Sequence, residues 1–477
     1  MIHSTILANI GCVAETTQEW AAAEHHHREA LRLRREIADA RGVLQSLHAL
    51  GRARLGAGDR DDAERSFTEA EQLADSLGET LERAKIWHTR AELLLRDGDA
   101  SHARELATSA LETFTQSRTR YDITHARVTL SRAALASGDE RLAVEQGALA
   151  RSAVQVMGYG LLCVLYPEDV FDLAARIDGA LTAYACGDAL GVPWENAPAG
   201  ATPSQIEQLP AREGWPRGAT SDDTALTLLV AHHLADRDGD GDPAAFLADL
   251  AEQEPAIRGL GPTTTAAIEQ FRRGDEAVGS TGRATNGAAM RALAIGWVLP
   301  HDQAERRRQV TIAMSGATHA DPAALVAACV IATCASWALE GASPSMLLEA
   351  AIEEAPQAAQ EVGANARLAE MLTHVSAGTW QPPANGISLD PYETVTAVLW
   401  CATPATALRS GLVNAVQLGG DTDTVAALVG GLMGSKLTAE QVRAELPWHQ
   451  LVALPEPESE IADIAVALAT ARAIQSM

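Results

Sequence analysis

A Gly-Asp dipeptide that returns every 40 residues constrains this chain more than any other feature: Gly58-Asp59, Gly98-Asp99 and Gly138-Asp139. Alanines keep the same step, with Ala23, Ala63, Ala103 and Ala143 in one set and Ala30, Ala70, Ala110 and Ala150 in another. Each Gly-Asp stands between an apolar-periodic segment (47–55, 87–95, 128–135) and a second segment of helical pattern. Glycine tolerates the left-handed conformation in which helices end, and aspartate accepts from the free N–H groups with which they start. The two alanine sets lie seven residues apart, hence on one helix face, where small side chains let neighbouring helices dock. Such a chain folds as stacked helix–turn–helix units.

This pattern resembles the tetratricopeptide repeat family in a longer-period form, and covers residues 1–155. Met1 falls inside the first helix of a unit with no polar capping helix before it, so further repeats upstream are expected. His25-His26-His27 lies mid-helix; adjacent residues point about 100° apart, so the three cannot face one metal and read as a solvated face. The period breaks around Gly158-Tyr159-Gly160 and Pro167, which puts a linker at 156–170 and a different domain at 171–477.

Composition agrees with helices throughout. The hydrophobic fraction is 47% but aromatics are only 4%, and alanine, the best helix former, supplies much of the difference. The expected fold is all-α. A formal charge of −26, with Lys85 and Lys436 as the only lysines, excludes a basic nucleic-acid or membrane surface. An anionic ligand would need backbone N–H groups and a few arginines. The six cysteines form no CxxC pair and read as buried, reduced thiols; with no signal peptide or membrane span in evidence, the cytoplasm is the expected location.

Two acidic clusters stand out in 171–477. Thr220-Ser221-Asp222-Asp223-Thr224 and Gly419-Gly420-Asp421-Thr422-Asp423-Thr424 each open onto an apolar helical run. Taken singly, such residues are ordinary N-caps. Brought together, they offer four carboxylates and at least two hydroxyls, an all-oxygen set that suits hard divalent cations. A two-metal site is a coherent use of the pair. The Asp238-Gly-Asp240-Gly-Asp242 run has Pro243 where a calcium loop needs glycine, and reads as an acidic surface loop. Glu195 follows a glycine turn at the end of a helix. Gly259-Leu260-Gly261-Pro262 is a turn into another helix, and the small-residue loop from Asn286 to Arg291 suits a pyrophosphate.

In this order, GDALGVPWE (187–195), TSDDT (220–224), GLGPTT (259–264), TNGAAMR (285–291), SGATHADP (315–322) and GGDTDT (419–424) resemble the ADP-ribosylglycohydrolase family. The resemblance implies an orthogonal α-helical bundle behind the repeat solenoid, with two magnesium ions (manganese as the alternative) in an ADP-ribose cleft. It implies Ser221, Asp222, Asp223, Asp421, Asp423 and Thr424 as metal ligands. Gly261, Asn286, Gly287, Ala288, Ala289, Met290, Arg291 and His319 would line the ADP-ribose pocket, and Glu195 would gate the site and assist proton transfer. Ser221 stands where the family usually has threonine, and Ala288 where many members have serine or glycine. His319 has a second reading as a buried helix-start histidine.

The function so implied is magnesium-dependent hydrolysis of the ADP-ribosyl bond of a protein or small molecule, with the repeats docking a protein partner. The alternative is an ADP-ribose-binding pseudoenzyme or scaffold that signals through the repeats.

Overall fold

A computed structural model describes residues 2–166, 172–200, 206–275, 279 and 284–475. The chain divides into two compact units, 1–171 and 172–477. All regular structure among the described residues is helical, with isolated β-bridges only.

The first unit contains α1 (Ile2–Thr16), α2 (Trp20–Glu36), α3 (Ala40–Gly56), α4 (Arg60–Leu77), α5 (Thr80–Arg96), α6 (Ala100–Ser117), α7 (Arg120–Ala136), α8 (Glu140–Met157) and the short α9 (Gly160–Leu165). Gly58, Gly98 and Gly138 take φ between 83° and 88°, and Asp59, Asp99 and Asp139 start the helices that follow. Asp99 and Asp139 accept from the N–H groups of His102 and Leu142. All eight periodic alanines are buried, Ala63 and Ala70 in a cluster with Phe67 and Ala110 in one with Phe114. The other corner of each unit also repeats at 40 residues: Ala38, Gly78, Arg118 and Gly158 all have φ between 53° and 70°. Within the 156–170 stretch, α9 keeps the repeat register one step beyond Arg120, while 167–170 lies outside the described residues.

Two details differ from expectation. Only His25 of the histidine run is exposed; His27 is fully buried and bonds Glu15 at 2.8 Å, because three consecutive helical positions cannot all avoid the packed face. Cys12 and Cys163 are exposed, on helices at opposite ends of the repeats, while the other four thiols are buried. On α1, Ile2, Ile6, Ile10 and Val13 are exposed, whereas the positions one and three periods later (Gly42, Ser46, Leu50 and Ala53; Ala126, Leu130 and Ala133) are buried against the preceding helix.

The second unit contains α10 (Leu173–Gly191), α11 (Asp222–Ala235), α12 (Pro243–Gln253), α13 (Pro262–Arg273), α14 (Leu293–Val298), α15 (Ala304–Gly316), α16 (Pro322–Leu339), α17 (Pro344–Val362), α18 (Arg367–Ser376), α19 (Pro391–Ala402), α20 (Leu408–Gln417), α21 (Thr422–Gly434), α22 (Ala439–Glu445) and α23 (Glu458–Gln475). Among the described residues α16 alone is long and apolar enough to cross a membrane; 89% of it is buried within the fold.

The tightest pair is α10 with α21. A Cβ on Gly187 would lie 2.2 Å from the Ala426 carbonyl oxygen, and one on Gly191 would lie 2.4 Å from that of Thr422. From the other side, a Cβ on Gly430 would lie 2.3 Å from the Ala183 carbonyl oxygen. The two backbones touch with nothing between them. Since backbone cannot yield as a flexible side chain can, Gly187→Ala should cost at least the ~1–3 kcal/mol of ordinary overpacking. Gly316, whose Cβ would meet open space, should accept alanine within about 0.5 kcal/mol. Seven of the nine tryptophans lie after residue 172, so denaturation followed by tryptophan fluorescence reads this unit and checks both expectations.

Candidate active site

The end of α10 also fixes α11. Asp188 is buried and accepts from the Ser221 N–H (3.0 Å), the Thr224 N–H (3.2 Å) and the Thr224 hydroxyl (2.5 Å). A carboxylate from one helix thus satisfies the free N–H groups that open another, where the helix dipole favours negative charge. Ser221 caps α11 through the Asp223 N–H (3.1 Å) and donates its own hydrogen to Asp223 Oδ2 (3.0 Å).

The start of α21 is set by a double-glycine turn, with φ of 71° at Gly419 and 77° at Gly420. The Gly420 N–H donates to the Ala197 carbonyl and the Asp421 N–H to that of Ile387, both at 2.8 Å. A side chain at Gly420 would strike the Ile387 carbonyl oxygen at 2.0 Å. The clamp ties the chain just after Glu195 to the turn that presents Asp421.

These constraints bring the two acidic clusters together, although they are some 200 positions apart in the chain. The Thr424 hydroxyl donates to Asp223 Oδ2 at 3.2 Å. Ligand oxygens of Asp188, Asp223 and Asp423 all lie within 4.8 Å of one another. Asp222 accepts from the Gly261 N–H at 3.3 Å, and Asn286 donates to both Asp421 and Thr394.

So many buried carboxyls cannot all ionise unaided. Burial raises Asp188 to about 6, against the hydrogen bonds from Thr224 and Ser221. Burial and then the Asp188 charge raise Asp222 to about 7. Asp421 rises to about 6 through burial, opposed by the Asn286 hydrogen bond. Asp223 and Asp423 are pushed well above the carboxylate range by burial and by their neighbours' charges.

The donor set fits a hard divalent cation. All the groups are oxygens, and Asp423 Oδ1 is buried with no hydrogen-bond partner in the very cluster where cation charge would offset the repulsion. Asp188, Ser221, Asp222, Asp223, Asp421, Asp423 and Thr424 are the residues able to hold it.

The clustered groups line a cleft of about 260 Å³ together with Glu195, Gly261, Asn286, Gly287, Met290 and His319. Gly287 rests on the His319 ring; a Cβ there would lie 2.6 Å from Nε2. His319 bonds Thr318 at 2.8 Å, and burial and then Arg291 lower it to about 3, so its ring is neutral. At the mouth, Glu195 pairs with Arg212, whose guanidinium lies 5.0 Å over the Trp215 ring. A larger cavity of about 750 Å³ runs along the Ala225, Leu228 and His232 side of α11, but shares only Ser221 with the cleft.

Thus Ser221, Asp222, Asp223, Asp421, Asp423, Thr424, Glu195, Gly261, Asn286, Gly287, Met290 and His319 converge on one cleft. Ala288 and Ala289 are fully buried beneath its wall. Arg291 is buried too, bonded to the Gly287 carbonyl and, at 2.6 Å, to the Thr318 hydroxyl. Sequence reasoning passed over Asp188, Arg212 and Trp215. Asp188 stood in the quoted GDALG segment, and a charge inside an otherwise apolar helical run was the available signal.

Comparison with known proteins accords with this geometry. A family described as ADP-ribosylglycohydrolase matches residues 169–476, and one described as tetratricopeptide repeat matches 3–76. The "Uncharacterized protein YegU" of Escherichia coli (strain K12) is 28% identical over 312 residues, 57% of this chain and 91% of that protein. A solved structure described as an "ADP-ribosylglycohydrolase-related protein complex" has a TM-score of 0.52 at 26% identity, over 64% of this chain and 99% of that one. The chain belongs to the ADP-ribosylglycohydrolase family, with tetratricopeptide repeats ahead of the glycohydrolase domain.

The raised carboxyls have a thermal consequence. Folding takes up protons that the unfolded chain, with carboxyl pKa values of about 3.9, does not hold. Their contribution is therefore fully present below about pH 4 and, in chelator, is lost as pH rises through the folded values of about 6 to 7. Magnesium should restore it, so the rise in Tm on replacing chelator by magnesium should be small at pH 5 and large at pH 8. An increment independent of pH would remove the cluster as the binding site.

Proposed function

We propose that this protein hydrolyses the glycosidic bond between ADP-ribose and a protein or small-molecule acceptor, in the cytoplasm and with magnesium (or manganese) as cofactor. The observation that carries this reading is the unpartnered Asp423 Oδ1 among converging acids, in a cleft bounded by the glycine turns and asparagine of the family. Two cations, when bound, would supply a Lewis acid and activate or orient an attacking water.

The chain's own groups do the rest. Ser221, Asp222, Asp223, Asp421, Asp423 and Thr424 serve as ligands. Asn286 orients Asp421 through its hydrogen bond, and Asp188 holds the Ser221–Thr224 turn. Gly261, the Asn286–Arg291 loop and His319 form the ADP-ribose wall, where glycines let the ligand approach the backbone. Glu195, partly exposed at the mouth, moves the proton, and its Arg212 partner orients it there. The repeats dock the macromolecule that carries the ADP-ribosyl group, a use that stacked helix pairs favour.

Glu195→Gln separates binding from chemistry, because glutamine keeps the shape but cannot accept a proton. Free ADP-ribose should bind with unchanged affinity by calorimetry while hydrolysis of a panel of defined ADP-ribosyl linkages falls at least ~100-fold. Asp421→Asn or excess chelator should abolish turnover; wild-type hydrolysis in chelator overturns the metal role. No turnover of any linkage, with ADP-ribose still bound, would make the protein a binding module.

Residues 172–477 hold every group assigned here, so expressed alone they should keep kcat on a small ADP-ribosylated compound within a few-fold. On a macromolecular substrate they should lose kcat/KM, since remote binding energy is gone. Equal kcat/KM on protein substrates would refute docking through the repeats.

A further inference from the structure

The repeats contain a constellation of their own, built from none of the groups assigned above. His88 and Glu92 lie one turn apart on α5, and His125 faces them from α7. One ligand atom from each lies within 4.8 Å of the others. His125 Nε2 stands 3.2 Å from Glu92 Oε1 and 2.7 Å from the Tyr166 hydroxyl, which itself donates to Glu92. His88 Nε2 is 2.8 Å from the Thr129 hydroxyl.

The repeat register shows that packing alone does not demand this set. One period earlier and later, the position of Glu92 is filled by Arg52 and Arg132. The position of His125 is filled by Gln45 and Lys85 in the two preceding units. His48 makes the same bond to Thr89, at 2.9 Å, that His88 makes to Thr129, but the positions that match Glu92 and His125 beside it hold Arg52 and Lys85. Of the units compared, one alone replaces cationic and amide side chains by an acid and a histidine at the same height on adjoining helices.

From this juxtaposition we propose that the repeats bind a zinc-class cation through His88, Glu92 and His125. Two imidazoles and one carboxylate suit zinc and not magnesium, which takes oxygens. Tetrahedral bonds of about 2.1 Å set neighbouring ligand atoms roughly 3.4 Å apart, close to the 3.2 Å between His125 and Glu92. Water would take the fourth position. Tyr166 and Thr129 would act as outer-shell partners, the one on the carboxylate and the other on the His88 ring. The cation would pin α5 to α7.

The test uses the full chain, stripped with chelator and then held in excess magnesium so that the oxygen cluster is saturated. Cobalt(II) serves as the spectroscopic probe and zinc as the competitor. One equivalent of cobalt should bind with the intense visible absorption of a tetrahedral site and be displaced by zinc, and Asp223→Asn should retain that signal. Glu92→Gln and His125→Gln should each weaken binding by more than the ~100-fold that loss of an outer-shell partner can cost. Circular dichroism verifies the helices of each variant; if His125→Gln fails to fold, Glu92→Gln, at a partly exposed position, decides. An absent or octahedral spectrum, or undiminished binding in the folded variants, would leave only a His–Tyr–Glu hydrogen-bond network and overturn the proposal.

Discussion

Backbone-to-backbone contact between α10 and α21 is the constraint on which the second unit depends. Gly187 and Gly191 occupy successive turns of α10, and their missing side chains let carbonyls of α21 approach to where a Cβ would sit. Asp188, between them in sequence, reaches instead to the N–H groups of Ser221 and Thr224 at the head of α11. One stretch of five residues thus holds two helices by their N-terminal ends. Both ends carry acids, and this shared hold brings residues 222–223 and 421–423 into register.

That arrangement works against itself electrostatically. Asp188, Asp222, Asp223 and Asp421 accept hydrogen bonds from hydroxyls or amides, yet burial leaves these four and Asp423 raised, with neighbouring charges adding to it at Asp222, Asp223 and Asp423. Local bonds to Asp188 are the best satisfied and those to Asp423 the poorest, since its Oδ1 has no partner at all. Strain of this kind persists only where the surrounding structure over-determines it. Here the close α10–α21 packing and the clamped Gly419-Gly420 turn supply the rigidity. A cation would relieve the charge without moving either helix.

The sequence exposed what depends on residue type and hid what depends on register in space. Gly58, Gly98 and Gly138 announced their corners because the left-handed conformation favours glycine. Ala38 and Arg118 adopt the same conformation at the alternate corner, and no residue preference could reveal them. His27 was invisible as a core residue because histidine suits either side of a helix. The acidic clusters were legible as two matching sets of oxygen donors, and the order of the surrounding motifs resembled a family that pairs them. Asp188 was missed because its neighbours read as a packed helix, and its role arises only once α11 lies against it. Ala288, Ala289 and Arg291 illustrate the converse: a loop can border a cleft while half of its side chains turn into the core.

Arg291 also bears on how a chain of charge −26 could receive the anionic ligand of the proposed function. Its guanidinium is buried, and burial lowers it to about 10, so it stays charged at neutral pH. Its hydrogens go to the Gly287 carbonyl and the Thr318 hydroxyl, not into the cleft. The positive charge therefore braces the loop from behind. His319 beside it is neutral and supports Gly287 by contact alone. Under the proposed function, an anion entering this cleft would depend on the loop's backbone, on the buried Arg291 behind it and on cations held by the acids, which is why the acidic cluster and the glycine loops would have to be neighbours for either to serve a negatively charged ligand.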